Sequence, residues 1–284
     1  MIKRYLRAFL EEELLKQGRS VVLYGPRQVG KTTLAKTFLE DSEVKYYNFD
    51  DFKDRKLFEE PSLSALSLTV EGKKRIIIDE AQRVKNIGLS LKLLIDTYPK
   101  VQFLITGSSS LDLAQGISEP LTGRVFEYTM YPIALVELLA EKDKIEVKRD
   151  LDNLLIYGAY PKVVSETNPV RKKTVIEMLS HQYLFKDTLA SYSVRNPEFL
   201  RKLLELLAFQ VGSEVSIAEL ATNLGVDAKT VRHYIDICEK LFILFSLRPY
   251  SRNKRKAISK QNKYYFFDLG IRNELIKNFN SLDL

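Results

Sequence analysis

Residues 25–32 read GPRQVGKT, which sets two glycines, a lysine and a threonine at the spacing G-x-x-x-x-G-K-T. Gly25 and Gly30 admit backbone angles that turn successive N–H groups toward phosphate oxygens. Lys31 carries a mobile ammonium able to reach the β- and γ-phosphates of a nucleotide, and the Thr32 hydroxyl is a hard oxygen ligand for Mg²⁺. Pro26, Arg27, Gln28 and Val29 complete the loop, and Thr33 continues the turn that follows it. Apolar SVVLY precedes the loop and helix-like TLAKTFL follows it. That strand–loop–helix setting separates a triphosphate site from a chance glycine turn.

A second constellation lies downstream. RIIIDE, residues 75–80, is an apolar strand pattern ending in two acids. Asp79 at the strand end is placed to orient Mg²⁺ through its water shell, and Glu80 to polarise an attacking water as general base. A third apolar run, VQFLIT, ends in Gly107-Ser108-Ser109-Ser110. Its hydroxyls suit either the γ-phosphate and attacking water or the cap of the next helix. Arg124, in LTGR, is the candidate for the charge that develops on the γ-phosphoryl in the transition state, on its own nucleotide or a neighbour's.

These groups need a scaffold that brings strand ends together. Strands read at 20–24, 44–49, 75–79, 101–106 and 125–130 alternate with helices at 31–39, 53–69, 86–97 and 108–116. Alternation of this kind predicts an α/β fold with a parallel sheet covered on both faces. VVL and III lack polar alternation, as strands buried on both sides do. Beyond Pro132 the pattern is helical over 133–141, 150–157, 170–190, 197–211, 216–224 and 228–242, closing in a hairpin near 243–267. The charged stretch EKDKIEVKRD marks a boundary near 140–150.

Composition narrows the chemistry further. The chain of 284 residues has one cysteine, Cys238, and two histidines, His181 and His233. An internal disulfide and a Cys/His metal cluster are therefore not expected; any metal should be a hard cation held by oxygen. No apolar run approaches the ~18–20 residues that span a bilayer. The amino-terminal stretch, interrupted by three glutamates, reads as an amphipathic helix carrying Leu6, Phe9, Leu10 and Leu14 rather than as a signal peptide. A cytoplasmic location is expected.

The net charge of +7 has a single source. Seven basic residues and no acid fall between Arg248 and Lys263, and the remaining 37 basic residues balance 37 acids. Residues 216–231 fit a helix–turn–helix, with Gly225 at the turn and Asp227 as cap of the second helix. Lys229 and Arg232 on that helix, with Arg252, Lys254, Arg255 and Lys256 of the basic run, form a candidate nucleic-acid surface interleaved by Tyr250, Tyr264 and Tyr265. Asp236 and Glu239 oppose DNA if they face it. Cys238 falls on the apolar face and reads as core.

Taken together, GPRQVGKTTL, YNFDD, IIIDEAQRV, LITGSSS, LTGRV and YGAYP resemble the AAA+-type P-loop ATPases of bacteria and archaea that carry a C-terminal winged-helix region. The resemblance runs over roughly residues 3–278. It implies a five-stranded parallel core over 1–141, a helical lid over 142–195 and a winged helix–turn–helix domain over 196–284. It also implies Ser108 as a sensor-type residue, Arg124 as the arginine of the GR motif, and adenine contact at Pro161 of the G-x-P element. Longer members continue past YYFFDLGIRN into a nuclease-like region; its acidic, lysine-containing signature is not found here, so nuclease activity is not expected of this sequence. The expected ligands are ATP and Mg²⁺, with ATP hydrolysis coupled to a basic domain contacting DNA, and a homo-oligomer or protein partner as a further possibility. The alternative is a nucleotide-gated DNA-binding or protein-interaction switch with little turnover.

Overall fold

A computed structural model describes residues 2–39, 42–107, 119–181, 196–250 and 261–282 of the chain. It divides into two compact units, Met1–Tyr131 and Pro132–Leu284.

In the first unit, β1 (Ser20–Tyr24), β2 (Val44–Asn48), β3 (Arg75–Asp79), β4 (Gln102–Thr106) and β5 (Val125–Thr129) form one parallel sheet in the order β2-β3-β4-β1-β5. Every residue of β1 and β3 is buried, as their unbroken apolar runs require. Burial of each Val, Ile or Leu there contributes about 1.5–3 kcal/mol. The strand order matters for the site. β4 lies between β1 and β3, so the ends of these three strands are neighbours although they are far apart in sequence.

The helices of this unit include α1 (Leu6–Glu11), prolonged by a wider π-type turn over Glu12–Lys16, then α2 (Lys31–Lys36), α3 (Phe52–Glu59), α4 (Leu63–Val70) and α5 (Ile87–Thr97), with single turns at Ala81–Arg83 and Glu119–Leu121. Leu10 and Leu14 bury the inner side of the amino-terminal helix, whereas Phe9 stays 43% exposed. The helix read over 53–69 is in fact two. Pro61 forces the preceding Glu60 into extended backbone, at φ −104° and ψ 115°, and the chain restarts at Leu63.

The second unit holds α6 (Leu135–Leu139), α7 (Lys144–Tyr157), α8 (Pro161–Ser165), α9 (Pro169–Ser180), α10 (Pro197–Phe209), α11 (Ile217–Leu224), α12 (Ala228–Lys240), the antiparallel pair β6 (Leu244–Leu247) and β7 (Lys263–Phe266), and α13 (Leu269–Leu275). From Lys144 the charged stretch near 140–150 is helical. Asp143 caps α7 by accepting the N–H groups of Ile145 and Glu146 at 2.7 and 2.8 Å, and Val147 is buried. Gly225 ends α11 in left-handed geometry and Asp227 caps α12 through the Thr230 N–H at 2.7 Å. Glu214 adds a bridge to Lys263 beside the β6–β7 pair. Cys238 is fully buried.

Although α13 comes last among these elements, α7, α9 and α10 all pack on it. Asp268 ties its start to the YGAYP turn. The carboxylate accepts the N–H groups of Ala159 at 2.7 Å and Ile271 at 3.0 Å. Gly158 has φ +81°, and a Cβ there would stand 2.2 Å from Asp268 Oδ1. Only glycine admits both that backbone and that approach. Asn273 completes the junction by donating to the carbonyls of Leu155 and Ile156 at the end of α7.

Candidate functional site

The loop from Gly25 to Gly30 leaves β1 and enters α2. Gly25 sits at φ +144°, with Met130 O only 2.2 Å from where a Cβ would be, so the strand exit passes tight against β5's continuation. Gly30 and Gln28 also have positive φ, at 101° and 60°. Pro26 and Val29 are buried, while Gln28 and Thr33 are exposed and Arg27 and Thr32 are half-buried. Val29 thus offers the loop its backbone, its side chain being core. Its carbonyl accepts Arg4 Nη1 at 2.6 Å, while Arg4 Nη2 reaches Tyr131 O at 2.5 Å. Nothing local to the loop in sequence announces this clamp.

Lys31 is 5% exposed, and its ammonium donates to the carbonyls of Gly25 and Pro26, both at 2.7 Å. Burial pushes its pKa down to about 8, against the opposing pull of Glu80 and Asp79. The charge of the two acids favours the protonated ammonium against that burial.

Asp79, 2% exposed, ends β3. The Tyr46 hydroxyl donates to its Oδ2 at 2.8 Å, and the Thr106 hydroxyl donates to its Oδ1. Thr106 Oγ1 in turn accepts the Glu80 N–H at 3.3 Å. Glu80 takes left-handed backbone, φ 58° and ψ 43°, and its carboxylate accepts from the Gln82 amide. Non-glycine residues in that region are strained by about 1–3 kcal/mol and cluster at functional sites. The sequence assigns no role to Tyr46, Gln82 or Thr106; their bonds to the two acids emerge only in the folded chain. The fully buried hydroxyl at the end of β4 belongs to Thr106; Ser108, to which the sensor role is assigned above, lies outside the described residues.

The residues suit a magnesium ion. Asp79 and Thr32 offer a carboxylate and a hydroxyl, both hard oxygen donors, and Mg²⁺ commonly takes one or two such ligands and completes its shell with phosphate and water. Among the described residues no cluster of three His, Cys, Asp or Glu forms an all-protein metal cage.

Arg124 is placed elsewhere. It precedes β5, whose Val125 pairs with Ser20 at the start of β1, whereas Thr129 pairs with Tyr24 beside the loop. The length of β5, about 16 Å at 3.3 Å per residue, separates Arg124 from the loop. Its guanidinium binds Asp96 of α5 through Nε at 2.6 Å and Nη2 at 3.0 Å. The guanidinium is thus held at the opposite edge of the sheet from the loop. Pro161 belongs to the second unit, where it opens α8. Lys229 and Arg232 are exposed on α12. Glu239 accepts the Ser246 N–H at 2.9 Å, and Asp236 pairs with Lys240 at 2.6 Å. Tyr250 is 90% exposed, but Tyr264 is buried and Tyr265 stacks on Phe245, which removes Tyr264 as a base-stacking surface. Arg252, Lys254, Arg255 and Lys256 lie outside the described residues.

Residues 17–139 match the family model of an AAA domain. Residues 148–282 match a domain of unknown function, DUF8612. The matched segment 17–139 contains the loop, both acids, Tyr46 and Thr106. The chain is 30% identical over 278 residues to the uncharacterized protein Rv2008c of Mycobacterium tuberculosis, covering 97% of this chain and 60% of the relative. It is 26% identical to the uncharacterized protein MJ1637 of Methanocaldococcus jannaschii, covering 90% and 62%. The chain therefore spans about three fifths of the length of these curated relatives. Among solved structures, the Walker-type ATPase paby2304 of Pyrococcus abyssi superposes with a TM-score of 0.65 at 15% identity, over 97% of this chain and 96% of that one. That likeness is one of fold: the chain folds as this solved structure does. No helix among the described residues is long and apolar enough to cross a membrane.

Proposed function

We propose that the chain binds Mg-ATP at residues 25–33 and hydrolyses it to ADP and phosphate. The observation that carries this reading is the convergence, at the ends of three adjacent strands, of the glycine loop with its buried Lys31 and of Asp79 and Glu80, which Thr106 ties together. In this reading Lys31 exchanges its two carbonyl acceptors for phosphate oxygens. Thr32 and Asp79 hold the magnesium ion, which when bound offsets the charge of the phosphates. Glu80 accepts the proton of the attacking water at its carboxylate, and Thr106 keeps the Glu80 backbone and the Asp79 side chain in register. Arg124 serves a nucleotide held by a neighbouring copy.

The basic C-terminal region supplies the second half. Helices α10, α11 and α12 with the β6–β7 pair and the Glu214 bridge support a winged helix–turn–helix reading. Exposed Lys229 and Arg232, with Arg252, Lys254, Arg255 and Lys256, contact DNA phosphates with little base specificity. One experiment joins the halves: phosphate release is measured with and without duplex DNA, alongside DNA affinity across salt. Duplex is expected to stimulate turnover. Neutralising Arg252, Lys254, Arg255 and Lys256 should weaken DNA binding and flatten the salt slope by roughly one unit for each phosphate no longer neutralised. Unchanged affinity and slope in that variant count against DNA contact and favour a protein partner.

A further inference from the structure

Three side chains from three adjacent strands stand in a row on one face of the sheet. Tyr46 of β2 pairs in register with Ile77 of β3, so Asp79, two residues on, points to the same face and lies diagonal to it. Ile78 pairs with Ile105 of β4, which sets Thr106 one step on, opposite Asp79. Both bonds to the carboxylate follow from this register: Tyr46 Oη to Oδ2 at 2.8 Å, and the Thr106 hydroxyl to Oδ1. The Tyr46 ring also lies under Lys36 of α2, with Nζ 5.4 Å from the ring centroid. Tyr46 therefore touches both the acid and the helix that carries Lys31 and Thr32.

We propose that Tyr46 is a positioning residue for the cation, fixing the Asp79 carboxylate and its spacing from the loop helix; this rests on the Mg-ATP reading above. A carboxylate has about four acceptor directions. Two are taken by the tyrosine and threonine hydroxyls, one on each oxygen, which stops the group rotating and leaves the other two for magnesium or its water. Outer partners of this kind hold a ligating carboxylate in the orientation the cation needs, and their loss typically weakens metal affinity or activity by about 10–100-fold. Thr106 alone fixes one oxygen only, so the carboxylate regains a swing about that bond when the phenol is removed.

The test is Tyr46→Phe, which keeps the ring, its packing and the Lys36 contact and deletes only the hydroxyl. Mn²⁺ binding in the presence of ATP is followed by electron paramagnetic resonance, and binding of a fluorescent ATP analogue is measured in EDTA and across a Mg²⁺ titration. The variant is expected to bind Mn²⁺ about tenfold more weakly and to need correspondingly more Mg²⁺, while its affinity for the analogue in EDTA stays that of wild type. Cation affinity equal to wild type overturns the assignment. Equal loss in EDTA and in Mg²⁺ also overturns it, because the tyrosine would then support the site as a whole. A wild-type chain that binds no nucleotide removes the Mg-ATP reading and this inference with it, an outcome distinct from a wild type that binds Mn²⁺ and ATP while the variant does the same.

Discussion

Replacing Glu80 by glutamine is expected to lower phosphate release by about 10²–10⁴-fold, the range a positioned general base contributes, while ATP binding persists. The substitution is nearly isosteric. Glutamine can occupy the same left-handed backbone, keep the Glu80 N–H bond to Thr106, and still meet the Gln82 amide through its carbonyl oxygen. What it lacks is a site for the proton of the attacking water. Steady-state phosphate release together with equilibrium ATP binding checks this. Turnover equal to wild type removes Glu80 from the chemistry, and loss of ATP binding would show that the residue supports the pocket instead.

The second large effect is structural, at Asp268. Burial pushes this carboxyl up to about 6, against the N–H groups of Ala159, Ile271, Gly270 and Tyr160, which favour the ionised form. Asp268→Ala leaves those donors without their acceptor in a buried junction, where each orphaned group costs about 1–3 kcal/mol. A net loss of roughly 3–5 kcal/mol is expected, a large share of the 5–15 kcal/mol typical of a folded protein. The pH dependence has a definite sign. The folded pKa is raised above the ordinary 3.8, so the folded state binds the proton more tightly. The stability this confers is full below about pH 4 and is lost as pH rises through about 6, up to about 3 kcal/mol for a shift of two units. Wild type and variant should therefore differ more at pH 5 than at pH 7.5 in urea unfolding. A gap that does not change with pH, or a variant as stable as wild type, contradicts this account of the junction.

How much of this is legible in the chain depends on whether the information is local. The loop at 25–32 and the acids at 79–80 announce themselves by spacing and by unbroken apolar strands, and both lie at the ends of parallel strands of one sheet. Thr106 and Tyr46 give no such signal because their value comes from strand order: only with β4 between β1 and β3 does a threonine at 106 meet an aspartate at 79. Arg124 is different, since the signal is present. A residue just before a strand of a parallel sheet lies at the opposite edge from a loop that follows a strand, and that polarity alone separates Arg124 from Gly25. The YGAYP turn is legible through its resemblance to a nucleotide-contacting element. Gly158 has an independent cause in the approach of Asp268, a contact across more than a hundred residues that no local pattern could reveal.

The central claim is that the glycine loop grips the phosphates of Mg-ATP through Lys31. Equilibrium binding of ATP to the purified chain, measured across magnesium concentrations and compared with Lys31→Ala, tests it most directly. Saturable binding that weakens by roughly 10–100-fold in the variant is the expected result, the loss matching one charge-assisted interaction of about 1.5–3 kcal/mol. Absence of saturable ATP binding by the wild-type chain at every magnesium concentration would contradict it.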